Sequence, residues 1–217
     1  MTFDPARDFM PITQLTEGGA AILVGPKFAA NSLRELLDYA RANHGKLAFG
    51  TSGIGSEHHL SAENLMQMTG LKLLHVPYKA GAQAMLDSAA GQLPMTIGVL
   101  SGAQPLVASG KLKLLAVVGS KRNNKFPQVP ALSEAVPGFE TPSSWTGIFG
   151  PAALPMPLSL RISSEFAKAV SNPETHEKLV NAGNEPVAST PEQFAESITK
   201  EIALVRRIVQ AAGIKPE

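Results

Sequence analysis

Cysteine and long apolar segments are both missing from this sequence. The absence of cysteine from its 217 residues excludes disulfide bonds and thiol chemistry, and it fits an oxidising or a reducing compartment equally well. No apolar run approaches the length of a membrane-spanning segment. The first residues, MTFDPARDF, have neither the cationic start nor the apolar core of a signal peptide, which taken alone predicts a cytoplasmic protein.

An excess of charge is also lacking. The formal net charge is +1 and no block of like charges occurs, so the sequence does not indicate nucleic acid as a partner. Hydrophobic residues make up 44% of the chain and charged residues 17%, as in an ordinary globular protein. The length is sufficient for one or two domains with a core.

Short apolar runs alternate with helical patterns through most of the chain, which predicts an α/β fold. Ser32 followed by Glu35 has the spacing of a capping box at the start of a helix. Thr190 followed by Gln193 has the same spacing at the start of the last helix.

The strand predictions follow from apolar runs and from proline. The continuous apolar run Leu112–Val118 predicts a strand in a parallel sheet that is covered on both faces. Pro5 and Pro11 predict a loop near the start of the chain, leading into a strand near Ile12.

Two short apolar strands, Ile22–Pro26 and Gly147–Pro151, both end in Gly-Pro and bracket the central α/β region. A lobe inserted between two crossing strands is typical of a hinged two-lobe binding protein. We therefore predict an inner lobe over residues 26–144 and a discontinuous outer lobe over residues 1–25 and 145–217.

The segment from Lys46 to Glu63, KLAFGTSGIGSEHHLSAE, is the strongest candidate for a ligand site. It predicts a short buried strand, a loop rich in glycine and hydroxyl groups, and a helix that stops at Gly70. Such a loop leaves backbone N–H groups free at the positive end of the helix dipole, which favours an anion. An ordinary strand-to-helix turn that binds nothing is the alternative.

Three enzyme motifs can be tested against this loop by spacing, and none fits. A P-loop needs Lys and then Ser or Thr after its second glycine, where this chain has Ser56 and Glu57. A dinucleotide fingerprint needs a third glycine where His58 stands. A serine-hydrolase elbow starting at Gly50 needs a glycine where Ile54 stands. Loop donors without a fixed cation suit a carboxylate better than a polyphosphate.

Short motifs over the whole chain carry a family resemblance. In order they are Asp8–Ile12, Tyr39–Glu63, His75–Lys79, Gly91–Gln92, Gly110–Leu112, Phe126–Pro130, Pro137–Glu140, Trp145 with Gly147, and Ala212–Lys215. In these residues and in this order, the chain resembles the Bug family, the TctC-like extracytoplasmic solute receptors of tripartite tricarboxylate transporters.

The resemblance implies an α/β fold of the type II periplasmic-binding-protein kind, with two α/β lobes joined by crossing hinge strands. It implies a solute-binding protein without enzymatic activity, located in the periplasm and monomeric. Such a protein would capture a small carboxylate, such as a di- or tricarboxylate or a related organic acid, in the interlobe cleft. It would deliver this ligand to the membrane permease of a tripartite transporter and would need no cofactor.

Two departures from the family affect these expectations. The chain is expected to lack the N-terminal part of the outer lobe, namely the signal peptide, the first strand and a proline- and glycine-rich loop. That loop supplies the outer lobe's half of the carboxylate clamp, so a truncated remnant that binds no ligand is an alternative. The chain would be cytoplasmic if its start is genuine. The second departure is Thr96–Gly98, where family members often carry an acidic residue; its absence favours a plain carboxylic acid over an amino acid.

The loop supplies most of the candidate site residues. Four of them are predicted to donate to a ligand carboxylate through N–H groups or hydroxyls: Ser52, Gly53, Gly55 and Ser56. Ser56 can also cap the following helix. Thr51 is a further candidate, whereas His58 is predicted to point elsewhere, into solvent.

The remaining candidates lie on the helix and after the next strand. His59 and Glu63 share a helix face, but two ligands without a third do not predict a metal site, so His59 is predicted to be a donor on the cleft side or at the helix cap. Tyr78 is predicted to line the pocket and Lys79 to balance an anion, because ligands bind at this edge of open α/β sheets. The alternative from another class is a small α/β hydrolase or transferase that uses Ser52 with His59.

Overall fold

The computed structural model describes residues 4–215. Within this range the strands are β1 (Phe9–Gly18), β2 (Ala20–Val24), β3 (Ala48–Thr51), β4 (Leu74–Pro77), β5 (Met95–Val99), β6 (Lys113–Val118), β7 (Ser144–Pro151) and β8 (Asn184–Pro186). The helices are α1 (Pro5–Asp8), α2 (Leu33–Ala42), α3 (Glu57–Thr69), α4 (Gly81–Ala90), α5 (Leu100–Ala108), α6 (Leu132–Ala135), α7 (Met156–Ser171), α8 (Pro173–Asn181) and α9 (Pro191–Ala212).

One compact unit, Gly19–Pro142 with the chain from Leu204 onward, is built on a five-stranded sheet in the order β4-β3-β5-β2-β6. Strand β3 runs parallel to β4 and β5, whereas β2 runs antiparallel to β5 and β6. Successive residues of β2 enter two different apolar clusters, with Ile22 in one and Leu23 in the other. Because both faces of the sheet are covered at this strand, β2 is apolar at every position.

Strand β6 is buried as predicted, but its neighbour runs in the other direction. Leu115 to Val118 are all buried, yet β6 pairs antiparallel with β2, with Val118 opposite Ala20. The prediction of a parallel sheet around this strand was therefore wrong. A continuous apolar run reports that both faces of a strand are covered, and it carries no information about the direction of the neighbouring strand.

The other compact unit consists of the described residues up to Gly18 and of Ser143–Ala203. Its sheet has three antiparallel strands in the order β7-β1-β8. Strand β1 begins at Phe9, within the region predicted to be a loop. Pro11 is accommodated because the pairing with β7 shifts register between Pro11 and Thr13, and proline within sheets is confined to edges and such irregularities.

The units and the predicted lobes share a boundary near residue 143 to within two residues, and they differ more widely at two other places. Strand β2, which lies within the predicted outer-lobe segment 1–25, belongs to the five-stranded sheet because both of its edges pair with strands of that sheet. Near the other end, the boundary falls inside α9, between Ala203 and Leu204. Residues 1–3, 216 and 217 of the predicted outer lobe lie outside the described residues.

Adjacent strands carry the chain across the unit boundary. The chain passes from one unit to the other at Gly18–Gly19 and returns at Pro142–Ser143. These crossings are neighbours because Gly18 pairs with Ser144 in the β1–β7 ladder. The first crossing therefore precedes Ile22–Pro26, the segment that we predicted as a hinge strand.

The helix caps follow the sequence closely. Ser32 Oγ accepts the Glu35 N–H at 3.2 Å, and the Glu35 carboxylate accepts the N–H of Asn31 at 2.7 Å, one residue earlier than in a standard capping box. At α9 the Thr190 hydroxyl and the Gln193 side chain make both reciprocal bonds. No described helix combines the length and the apolar character needed to cross a membrane.

An aromatic cluster packs against β7 in the smaller sheet. The ring of Phe194 is fully buried, with its centroid 5.0 Å from that of Trp145 and 5.1 Å from that of Phe149. Trp145 also donates its indole N–H to Glu201 at 2.8 Å. Phe194 approaches the backbone of Gly147 so closely that a Cβ there would overlap the Phe194 ring.

We predict that Gly147→Ala destabilises the protein by about 1–3 kcal/mol, because the new methyl group overlaps a buried ring that cannot move freely. Gly119→Ala is the matched control, since a Cβ at Gly119 has no heavy atom within 4 Å. Urea unfolding measures both variants. Equal stability of the two would contradict the packing of Phe194 against Gly147.

Candidate functional site

The candidate site lies where two adjacent parallel strands end. Strand β3 leads into the loop of residues 52–56, and β4 leads into residues 78–80 before α4 begins. The Tyr78 N–H donates to Thr51 O at 3.1 Å, so the segment after β4 is still hydrogen-bonded to the end of β3. A Cβ at Gly81 would lie 3.7 Å from Ser52 Cβ, which brings the start of α4 against the loop. Ligands in open α/β sheets bind at this carboxyl edge.

Most of the predicted loop donors are hydrogen-bonded within the protein. The Gly53 N–H donates to Thr51 Oγ1 at 3.2 Å, and the Gly55 N–H donates to His59 Nδ1 at 3.1 Å. Both the N–H and the hydroxyl of Ser56 donate to Gly53 O, at 3.3 and 2.8 Å. Ser56 Oγ also accepts the His59 N–H as the cap of α3, as predicted.

Two other N–H groups of the loop remain available. Within the described part of the chain, the N–H groups of Ser52 and Ile54 have no protein acceptor. They alternate with the inward-bonded N–H groups of Gly53 and Gly55. The donors that a ligand could use are therefore offset by one residue from two of those predicted, and Ile54 was missed because its side chain carries no polar group.

His59 is buried and forms a hydrogen bond with the loop. Because its Nδ1 accepts the Gly55 N–H, its proton is on Nε2, which lies 3.3 Å from Glu63 Oε1. The predicted pairing of His59 with Glu63 on one helix face is thus present. Both ring nitrogens are engaged, so His59 is not available to activate Ser52. Among residues 4–215, no three His, Cys, Asp or Glu side chains form a group that could hold a metal ion.

His75, which sequence analysis did not select, lies at the centre of this region. Its Nε2 is 2.7 Å from the Thr51 hydroxyl, and its ring stacks on that of His59 with the centroids 4.0 Å apart and the planes 15° apart. Desolvation and, to a smaller extent, the neighbouring His59 lower the pKa of His75 to about 4, against an opposing effect of Glu63. The ring is therefore neutral near pH 7.

His58 was expected to face solvent but is buried. Its Nδ1 lies 3.1 Å from Ser52 Oγ, and burial lowers its pKa to about 4. Its Nε2 lies 3.2 Å from Glu57 Oε1 but makes no hydrogen bond with any of the described residues. The Ser52 hydroxyl consequently pairs with His58, and the Ser52–His59 pair of the hydrolase alternative does not form.

Tyr78 and Lys79 have different surroundings. The Tyr78 hydroxyl donates to Asp87 Oδ2 at 2.9 Å, and its pKa is raised first by desolvation and then by this hydrogen bond. Its ring lies beside Gly50, where a Cβ would come within 3.1 Å of it. Lys79 is exposed, and its ammonium group has no partner among the described residues.

Solved structures of similar proteins identify the fold. The Rhodopseudomonas palustris protein Rpa4515, solved with adipate, is 32% identical and superimposes with a TM-score of 0.89 over 100% of this chain and 73% of its own. MatC from the same organism, solved with bound malate, is 25% identical with a TM-score of 0.81 over 96% of this chain and 72% of its own.

Curated relatives and a family model identify the family of this chain. A UPF0065 protein of Bordetella bronchiseptica is 30% identical over 100% of this chain. This chain spans 61–65% of the length of four such relatives. The family model of the tripartite tricarboxylate transporter family receptor matches residues 1–214. The chain therefore belongs to the tripartite tricarboxylate transporter receptor family and has its type II periplasmic-binding-protein fold.

Proposed function

We propose that this chain binds a small carboxylate as part of an extracytoplasmic solute receptor and presents it to a tripartite tricarboxylate-type permease. The loop between β3 and α3 carries the proposal, because it offers N–H groups at the start of a 13-residue helix. Membership of the receptor family supports a periplasmic, monomeric binding protein that performs no chemistry on its ligand.

The charge and donors around the loop favour an anion. The N–H groups of Ser52 and Ile54 lack protein acceptors within residues 4–215, and Lys79 places an unpaired ammonium group after the adjacent strand. Thr51 restrains the start of the loop, because its hydroxyl oxygen accepts the Gly53 N–H. Gly53, Gly55 and Ser56 contribute mainly by shaping the loop, since their own donors are engaged.

A plain carboxylic acid fits better than an amino acid. In β5, Thr96 donates its hydroxyl to Gly50 O at 3.1 Å, and Gly98 packs against Met85. Neither residue offers a carboxylate to a ligand amine. Related receptors solved with adipate and with malate, both plain dicarboxylates, support this choice.

We expect adipate or malate to stabilise the chain against heat. A ligand that binds only the folded state adds about 2.7 kcal/mol at a hundredfold excess over its dissociation constant. Adipamide, which has the shape of adipate without its charge, is the control ligand, and glutamate tests discrimination against an amine. If no carboxylate shifts a cooperative melting transition, this chain is not by itself a carboxylate receptor.

Lys79→Met should weaken carboxylate binding by a factor of about 1.4 to 5 at low salt, because an exposed charge pair contributes about 0.2–1 kcal/mol. The loss should shrink as salt screens the attraction. Lys72→Met, at another exposed lysine of the same unit, is the matched control. Isothermal titration with adipate and malate measures both variants, and identical affinities would remove Lys79 from the site.

Acid should destabilise the folded chain through His58. Its pKa is about 4 when folded, against an ordinary value of 6.5, so the unfolded chain binds the proton first as pH falls. Stability is therefore lost as pH falls from about 7 toward 4, by about 2 kcal/mol at pH 5 from this group.

The variant His58→Gln should reduce this loss in urea unfolding between pH 7 and pH 5. His44→Gln, which replaces an exposed histidine of the same unit, should leave the pH dependence unchanged. An unaltered slope in His58→Gln would show that His58 is not held neutral by burial.

A further inference from the structure

Two glycines shape the loop of the proposed site, and side chains hold the N–H groups of both. Gly53 has φ 115° and Gly55 has φ 75°, conformations that other residues rarely adopt. Glycine leaves a loop free to change shape unless other bonds restrain it. Here the restraints are Thr51 Oγ1 on the Gly53 N–H and His59 Nδ1 on the Gly55 N–H.

The two side chains that accept these bonds, Thr51 and His59, both contact His75. Its Nε2 lies 2.7 Å from Thr51 Oγ1, and its ring stacks on His59 at a centroid distance of 4.0 Å. The sheet holds His75 in place, because His75 in β4 pairs with Phe49 in β3 and the two rings stack with their centroids 5.0 Å apart. His75 thus joins the sheet to both restrained points of the loop.

We infer that His75 is a positioning residue of the carboxylate site, acting through Thr51 and His59 to turn the Gly53 and Gly55 N–H groups inward. The intervening N–H groups of Ser52 and Ile54 are then left for the ligand. This inference rests on the proposed function for the identity of the ligand. The hydrogen bonds and the stack that carry it do not depend on that function.

The two connections of His75 can be separated by substitution. His75→Phe retains a flat ring to stack on His59 but removes the bond to Thr51. His75→Gln retains a polar group for Thr51 but removes the stacking ring. Amide hydrogen exchange, measured by NMR on the full chain, should accelerate about tenfold at Gly53 alone in His75→Phe, and about tenfold at Gly55 alone in His75→Gln.

A merely structural role would not produce this division. General destabilisation would accelerate both glycines, together with the neighbouring helices, in both variants. That result, or unchanged exchange at Gly53 and Gly55 in folded variants, would overturn the inference. His44→Phe and His44→Gln make the same changes at an exposed position and should leave both glycines unaffected.

A measurement on the unaltered chain covers the case in which the variants fail to fold. The Gly55 N–H donates to a ring nitrogen, so a ¹⁵N–¹⁵N coupling across the hydrogen bond should connect Gly55 with His59 Nδ1. Absence of the coupling would overturn the inference.

Titration with adipate and malate separates the inference from the proposed function. If either ligand binds the unaltered chain, its dissociation constant should rise about tenfold in both His75 variants, which corresponds to about 1.4 kcal/mol. Unchanged affinity would overturn the positioning role. If neither ligand binds while the exchange pattern is observed, the proposed function fails and the support of the loop by His75 stands.

Discussion

The parallel pairing of β3 with β4 is the constraint on which the site depends. It places His75 opposite Phe49 and Pro77 opposite Thr51, so that the segments after the two strands start at one edge of the sheet. Residues alternate between the faces of a strand. Phe49 and Thr51 therefore share the face on which His75 and, through the stacked rings, α3 are held.

Neutral imidazole suits the position between sheet and loop. It offers one donor and one acceptor, so His59 accepts the Gly55 N–H and still has a donor for Glu63. Its flat ring also stacks, which a Gln side chain cannot do. Burial disfavours the charged form, and His58 and His75 are accordingly neutral near pH 7. The arrangement of the loop therefore depends on a pH at which the imidazoles of His58 and His75 stay unprotonated.

The shape of the loop was predictable because it depends on near neighbours. Gly53, Gly55 and the Ser56 cap lie within a few residues of one another, and the failed spacing of the enzyme motifs favoured a carboxylate over a polyphosphate. His58 was misassigned because α3 is buried at five consecutive positions from His58 to Ala62. A helix covered on several sides has no apolar stripe to show which histidine faces solvent. His75 was missed because its partner Thr51 is 24 residues away.

The sequence by itself determined the features that depend on near neighbours. These are the caps of α2, α3 and α9, the glycine-shaped loop and, through motifs along the chain, the receptor family. Only the tertiary structure decided the antiparallel direction of β6, the placement of β2 inside the five-stranded sheet, and the histidines that hold the loop. Strand partners and ring stacks join residues that are distant along the chain. Local propensity and apolar period describe how a segment is buried, but they do not specify what buries it.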